Sequence, residues 1–310
     1  MGMVKNLKNK IISLKVKKNY HKNRNGLAKE GMSKKVVFAI FMVLFIYQAA
    51  FSLLPLFFSF INSVKATEEF VKDMLGLPKV WHWEYWAEII PTFAVGDVGF
   101  WSMVWNSVWF AFGTQFLNIL ASLFVAYPLA RYKFPGKELF YGIIIFRITI
   151  PIVGTSAVGY KLERALGMIN NPPVYMIGAF QGFDMNALIV YGYMKAVGKE
   201  YSEAAVLDGA NSLQVLFRVV TPQAFPCLIA LYVNAVMGQW NNYSAPMISF
   251  PKYPNLAYGI YLVEGSSAHG VAAKAKMFGC ILLSAIVPLA MFTASQKLML
   301  NNMSVGGLKG

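Results

Sequence analysis

Between Lys199 and Pro226 the chain concentrates residues suited to non-covalent chemistry. Glu203 and Asp208 supply carboxylates that a basic surface can hydrogen-bond. Ala204 and Ala205 leave a helix flank that a partner can approach closely, and Gly209 permits a chain reversal that residues with a Cβ resist. Residues 201–207 are good helix formers without a breaker, and Asn211 or Ser212 can cap a second helix. In that helix Leu213, Leu216, Phe217 and Val220 recur at i, i+3, i+4 and i+7, and Pro222 and Pro226 are expected to close the unit. A short helix-turn-helix with one apolar stripe is a docking surface, since a mere linker has no use for the stripe.

Two further charges sit inside apolar runs, Arg147 in residues 139–158 and Asp184 in residues 174–194. Each lies about nine or ten residues from the nearer polar loop, near mid-depth of a membrane at about 1.5 Å per residue. An isolated charge there costs about 2.5–3.5 kcal/mol. Either the two pair with each other and pin their helices, or they line a watery path. Other chemistry is missing. No G-x-x-x-x-G-K-[ST] phosphate loop and no G-x-S-x-G turn occurs. His21, His82 and His269 are far apart and show no metal spacing, and the triplets at Asn242 and Asn302 that match glycosylation acceptors read as chance.

The elements that must position these residues are membrane spans. With 57% hydrophobic and 14% charged residues and a mean hydropathy of +0.49, the 310-residue chain is too apolar for a soluble domain. Six apolar runs are expected to cross the bilayer as helices: residues 36–61, 104–130, 139–158, 174–194, 228–250 and 277–294. The first contains Pro55, the third Pro151. Residues 36–61 are longer than a signal-peptide core and read as a retained anchor. Trp81, Trp83, Tyr85, Trp86 and Trp101 form an aromatic cluster suited to a membrane interface. Cys227 and Cys280 fall near opposite membrane faces and read as packing residues.

The net charge of +14 does not indicate a nucleic-acid surface, because 11 of the 28 Lys and Arg lie in residues 1–35, a basic tail next to anionic lipid. With the amino terminus inside, the cytoplasmic segments hold 11, 3, 3 and 2 basic residues and the outer loops 3, 2 and 3, with Arg147 left over. The positive-inside rule therefore puts both termini and the 199–226 stretch in the cytoplasm. The division is a tail at 1–35, a six-span domain at 36–298 with a loop at 196–226, and a second tail at 299–310.

Glu203-Ala204-Ala205, three residues, Gly209, nine residues, then Val219-Val220-Thr221-Pro222 resemble the EAA loop, E-A-A-x3-G-x9-I-x-L-P, of the membrane subunits of bacterial ABC importers. Val219 and Thr221 depart mildly from the usual Ile and Leu. The EAAxxDGA form at 203–210, the frame of Asn106 and Ser107, the stretch from Ala126 and Tyr127 to 130–137, and the Gly-rich, Lys-Gly end at 302–310 resemble the carbohydrate branch of that family, of maltose type. The resemblance implies an all-α fold of six transmembrane helices with a cytoplasmic coupling helix-turn-helix. It implies that Glu203, Ala204, Ala205, Asp208, Gly209, Ala210, Phe217 and Pro222 contact an ATPase. The implied partners are two ATPase subunits, a second permease chain in a heterodimer, an extracytoplasmic binding protein contacted near 251–275, a carbohydrate and membrane lipid. No cofactor or enzymatic activity of its own is implied. Arg147 and Asp184 then become candidates for the translocation path, Arg147 favouring an anionic sugar. Three rivals stay open: an importer for a non-sugar solute, an ion-driven secondary transporter, for which Asp184 is thin support, and a membrane-embedded enzyme.

Overall fold

The computed structural model describes residues 32–150, 155–196, 198–265 and 272–302. The expectations on the basic tail through residue 31, on Pro151, His21 and His269, and on the Gly-rich end from residue 303 lie outside the described residues. Among the described residues the fold is helical apart from one two-residue antiparallel ladder, β1 (Ala94–Val95) with β2 (Val98–Gly99). Four helices among the described residues are long and apolar enough to span a membrane: within α1 (Met32–Ser63), α4 (Phe100–Arg131), α10 (Ser212–Trp240) and α13 (Ala272–Asn302).

Residues up to Phe58 form one unit and those from Ser59 a second. The first is the greater part of α1, whose apolar side chains, among them Phe38, Phe45 and Tyr47, are exposed as lipid contact requires. In the second unit, α2 (Thr67–Lys72) and α3 (Glu84–Thr92) sit in the segment before β1. Lys65 is fully buried there, and its Nζ donates to the carbonyls of Asp73 at 2.8 Å and Gly76 at 2.6 Å. His82 Nδ1 lies 2.7 Å from Glu84 Oε1, and that hydrogen bond holds the Glu84 carboxyl below its ordinary value. Trp81 and Trp83 stack at 5.7 Å and remain exposed, while Trp86 packs against the core.

α4 is the spine of the second unit. Its amino-terminal end, Phe100 and Met103, packs with Ile89 of α3 and Phe93 just after it, with Leu256 and Val263 of α12 (Leu256–Gly265) and with Met277 and Cys280 of α13. Its middle, at Ala111, meets Val236 and Trp240 of α10. Its far end buries Ile119, Leu123, Ala126 and Tyr127 against Val190 and Met194 of α8 (Met185–Ala196) and against Val215, Leu216 and Val220 of α10.

The third and fourth apolar runs are not single helices. The third is divided into α5 (Lys137–Thr149) and α6 (Thr155–Ala165), the fourth into α7 (Pro172–Gly178) and α8. The expected fifth run also ends early, at Trp240, and is followed by the short α11 (Ser244–Ser249) and then α12. Breakers lie at two of these divisions: Gly182 adopts φ +66° before α8, and Pro246, Pro251 and Pro254 crowd the segment after Asn241.

Prolines inside the long helices behave differently. Pro222 and Pro226 do not close the polar stretch, because α10 runs through both. The π-helical turn Val215–Val220 is separated from Pro222 by Thr221 alone and supplies a wider winding next to a ring without an N–H.

The break between α7 and α8 lies hard against α4: a Cβ at Gly182 would come within 2.6 Å of the Ala121 carbonyl oxygen. Gly182→Ala is expected to cost at least about 2 kcal/mol, from the left-handed backbone and the overlap together. Gly192→Ala, in α8 with nothing within 4 Å, is expected to be neutral or mildly stabilising. Thermal unfolding of the detergent-purified variants checks this; a Gly182→Ala protein as stable as wild type would remove the close approach from the account.

Candidate functional site

Two places collect polar groups that a core does not need. The first is a cavity of about 520 Å³ between α4, α6, α7 and the end of α10. Its size is that of ordinary ligand sites, about 300–1,000 Å³. Thr114, Gln115 and Asn118 enter it from the midpoint of α4, Glu163 from α6, Tyr175 from α7, Gln181 from the α7–α8 break and Gln239 from α10. These amides were legible as polar residues inside apolar runs, which carry a functional expectation by themselves, but the sequence reading singled out charges instead.

Arg147 and Asp184 do not pair with each other. Arg147 donates to the Phe183 carbonyl at 2.9 Å and to Gln181 Oε1 at 2.7 Å, so it closes the exposed backbone of the α7–α8 break and orients an amide of the cavity wall. Asp184 is the cap of α8, not a residue inside a longer helix. Its Oδ1 accepts from the Ala187 N–H at 3.1 Å and from Ser122 Oγ at 3.2 Å. Asn186 bridges on to Asn118 Oδ1 at 3.1 Å, which ties this cap to the cavity.

The frame residues Asn106 and Ser107 have the same kind of role. Both are buried: Asn106 Nδ2 donates to the Pro254 carbonyl at 3.0 Å, and Ser107 Oγ accepts from the Leu256 N–H at 2.9 Å. They hold the start of α12 against α4. On the other side of the cavity, Ser249 Oγ donates to Glu163, and Asn170 Oδ1 accepts from the Lys252 N–H at 3.0 Å.

The second place is the polar stretch around Gly209. Residues Glu200–Leu207 form α9. Gly209, at φ +83°, ends it: the Gly209 N–H reaches Val206 O and the Ala210 N–H reaches Ala205 O at 3.0 and 2.9 Å, the bonding of a Schellman stop. Asn211 then opens α10 with a capping box, its side chain and that of Gln214 each accepting the other's backbone N–H at 2.9 Å. The reversal and the cap are as the residue types require.

Within this pair the expected apolar stripe is split. Leu216 and Val220 are buried in the core, whereas Leu213 and Phe217 are 61% and 45% exposed. The π turn rotates the stripe as it passes from loop to bundle. Glu203, Ala204, Asp208 and Gly209 are exposed together with Tyr201, Val206 and Leu207, while Ala205 and Ala210 pack inward against the cluster around α4. Phe217 makes an edge contact with Phe124 at 5.9 Å, away from the loop, and Pro222 is exposed on α10. The end of α4 grips the pair: Tyr127 Oη donates to the Ser212 carbonyl at 3.3 Å, and Arg131 Nη1 to that of Gly198 at 3.4 Å. Among the described residues no group of three His, Cys, Asp or Glu converges as for a metal.

Residues 118–300 match the family model described as binding-protein-dependent transport system inner membrane component. The diacetylchitobiose uptake system permease of Streptomyces coelicolor is 24% identical over 86% of this chain and 88% of its own. The galactooligosaccharides transport system permease of Bacillus subtilis is 25% identical over 66% of this chain and 73% of its own. Among solved structures, one chain of a bacterial ABC transporter that imports the acidic polysaccharide alginate superposes with a TM-score of 0.69 at 22% identity, over 86% of this chain and 98% of that one.

The geometry separates two roles for Asp184. Asp184→Asn keeps an oxygen for the Ala187 N–H and is expected to leave stability and uptake of the transported solute near wild type. Asp184→Ala loses the cap and is expected to cost about 1 kcal/mol. Purified yield, melting temperature and uptake are compared; an Asn variant that is stable but fails to transport would give the charge a direct part in the path.

Proposed function

Since the chain belongs to the binding-protein-dependent transport system inner membrane component family, we propose that it is the membrane-spanning permease subunit of an ABC importer and forms half of the translocation path for an oligosaccharide. It is a transporter subunit and not an enzyme: the sequence holds no phosphate loop, so ATP is hydrolysed on separate ATPase subunits. Two ATPases, a second permease chain and an extracytoplasmic binding protein complete the assembly.

In this reading the broken pairs α5–α6 and α7–α8 each make one crossing. With α1, α4, α10 leading into α12, and α13, that makes six crossings with both termini in the cytoplasm. The 196–226 loop is the coupling element. Glu203 and Asp208 meet basic groups of the ATPase, Ala204 and the Gly209 turn allow close approach, and Tyr201, Val206 and Leu207 supply apolar contact. Ala205, Ala210 and Phe217 act from behind by fixing the pair to the bundle.

The observation that carries the proposal is the continuity of α10. It begins at the capping box of the exposed pair and runs unbroken to Gln239 at the cavity. Displacement of the pair by a closing ATPase dimer therefore moves a cavity wall as a rigid lever, which switches access between the two sides.

Charge reversal tests the contact. Glu203→Lys is expected to insert and to co-purify with the second permease as wild type does, but to lose at least about tenfold of binding-protein-stimulated ATP hydrolysis, as for a truncated buried interfacial charge pair. Full activity of Glu203→Lys together with Asp208→Lys would overturn the assignment of the loop.

A further inference from the structure

The cavity has a charge character that selects among sugars. In its wall α6 presents Gly159, Leu162 and Glu163, at i, i+3 and i+4, as one face, and Leu166 follows directly after the helix. Lys161 and Arg164, at about 100° per residue, fall on the opposite side of that helix. Among the described residues the lining therefore carries one charged side chain, the carboxylate of Glu163. Arg147, the cation that would favour an anionic ligand, is not in the wall, and its guanidinium is directed to the Phe183 carbonyl and the Gln181 side chain.

The remaining polar groups are amides, hydroxyls and a phenol. Asn118 Oδ1 and Gln239 Oε1 accept from Asn186 and Asn242, which turns the amide nitrogens of Asn118 and Gln239 toward other partners. Among the described residues neither nitrogen has one. Neutral N–H donors and a carboxylate acceptor are suited to sugar hydroxyls, which both donate and accept. A uronate carboxylate would instead meet Glu163 across a partly enclosed space, where like charges repel more strongly than in bulk water.

Resting on the permease reading above, we propose that this chain's half of the path selects uncharged oligosaccharides against acidic ones, and that Glu163 is the residue that sets this preference. Arg147 is a positioning residue for Gln181 and not a contact for the solute's charge.

The test uses the complete transporter, purified without its binding protein so that the permease's own preference is read. Equilibrium binding is measured for two panels: neutral tetrasaccharides of glucose, galactose, arabinose and N-acetylglucosamine, and acidic tetrasaccharides of galacturonate and mannuronate. Wild type is expected to bind its best neutral tetrasaccharide at least about tenfold more tightly than any acidic one. Glu163→Gln, which retains an acceptor for Ser249, is expected to raise acidic binding about tenfold and so to narrow the neutral-over-acidic ratio by about that factor. Ser249→Ala removes the hydrogen bond but not the charge and is expected to keep the wild-type preference. A wild type that prefers the acidic panel, or a Glu163→Gln complex with unchanged preference, overturns the inference and leaves the permease reading standing. A complex that hydrolyses ATP with its binding protein yet binds neither panel overturns the sugar reading itself, and this inference with it.

Discussion

Hydrocarbon offers no hydrogen bonds, so any interruption of a helix at membrane depth must have its peptide groups satisfied by the protein itself. This chain interrupts three apolar runs, and the side chains that close the interruptions determine much of the remaining architecture. Ser122 and the Asp184 carboxylate close the start of α8, Arg147 caps the carbonyl of Phe183, and Asn106 and Ser107 hold the chain at 254–256. Asn255 bonds the Asn242 carbonyl at 2.9 Å and accepts from the Tyr258 N–H at 2.8 Å, closing the gap between α10 and α12 from within. Three of these side chains, Asn106, Ser107 and Ser122, belong to α4. That helix is buried along more of its span-forming window than any other described span, and it is the common partner of every break the structure describes in full.

The same demand explains why the exposed pair around Gly209 is stiff. A loop that only linked two spans could leave its helix ends to water. Here the ends of α9 and α10 are both closed by local hydrogen bonds, and the π turn after the cap carries the winding past Pro222 without a stop. α10 spans about 43 Å at about 1.5 Å per residue. The Asn211 cap, next to the reversal that ends α9, and Gln239 are thus joined by a single element whose interior bonds must all be kept.

Much of this was legible in the residues. The four long apolar helices, the Gly209 reversal and the Asn211 cap follow from hydropathy and from the few residue types that tolerate a left-handed turn or accept a backbone N–H. What was not legible is where a run is divided. In Pro222 and Pro226 the strongest helix breaker was overruled: α10 runs through both, with a π turn just before the first. In Gly182 and Asp184 weaker signals prevailed, because the close approach to Ala121 and the bond from Ser122 exist only once α4 is in place. The stripe from Leu213 to Val220 failed for a related reason: ideal 3.6-residue periodicity does not survive a π turn, so two of its four residues face the core and two do not. The frame of Asn106 and Ser107 was recognisable as a pattern, but its purpose required knowing that residues 254–256 return to the same depth.

The charges teach the opposite lesson from the amides. Arg147 and Asp184 drew attention because a lone charge in an apolar run is costly, yet both are occupied in mending helix ends. Gln115, Asn118, Gln181 and Gln239 cost less to bury, so they were overlooked, and they are the groups left facing space. This division suits transport. A path that releases its solute on every cycle gains little from a strong ion pair, since binding must be favourable enough for entry and weak enough for exit. Several neutral hydrogen bonds, each worth about 0.5–1.5 kcal/mol net, provide graded recognition without that trap. Gln181 belongs to both sets, with its carbonyl oxygen held by Arg147 and its side chain in the cavity wall. The break between α7 and α8 is therefore continuous with the cavity wall, and the halves of a broken helix are free to move separately where an unbroken one is not.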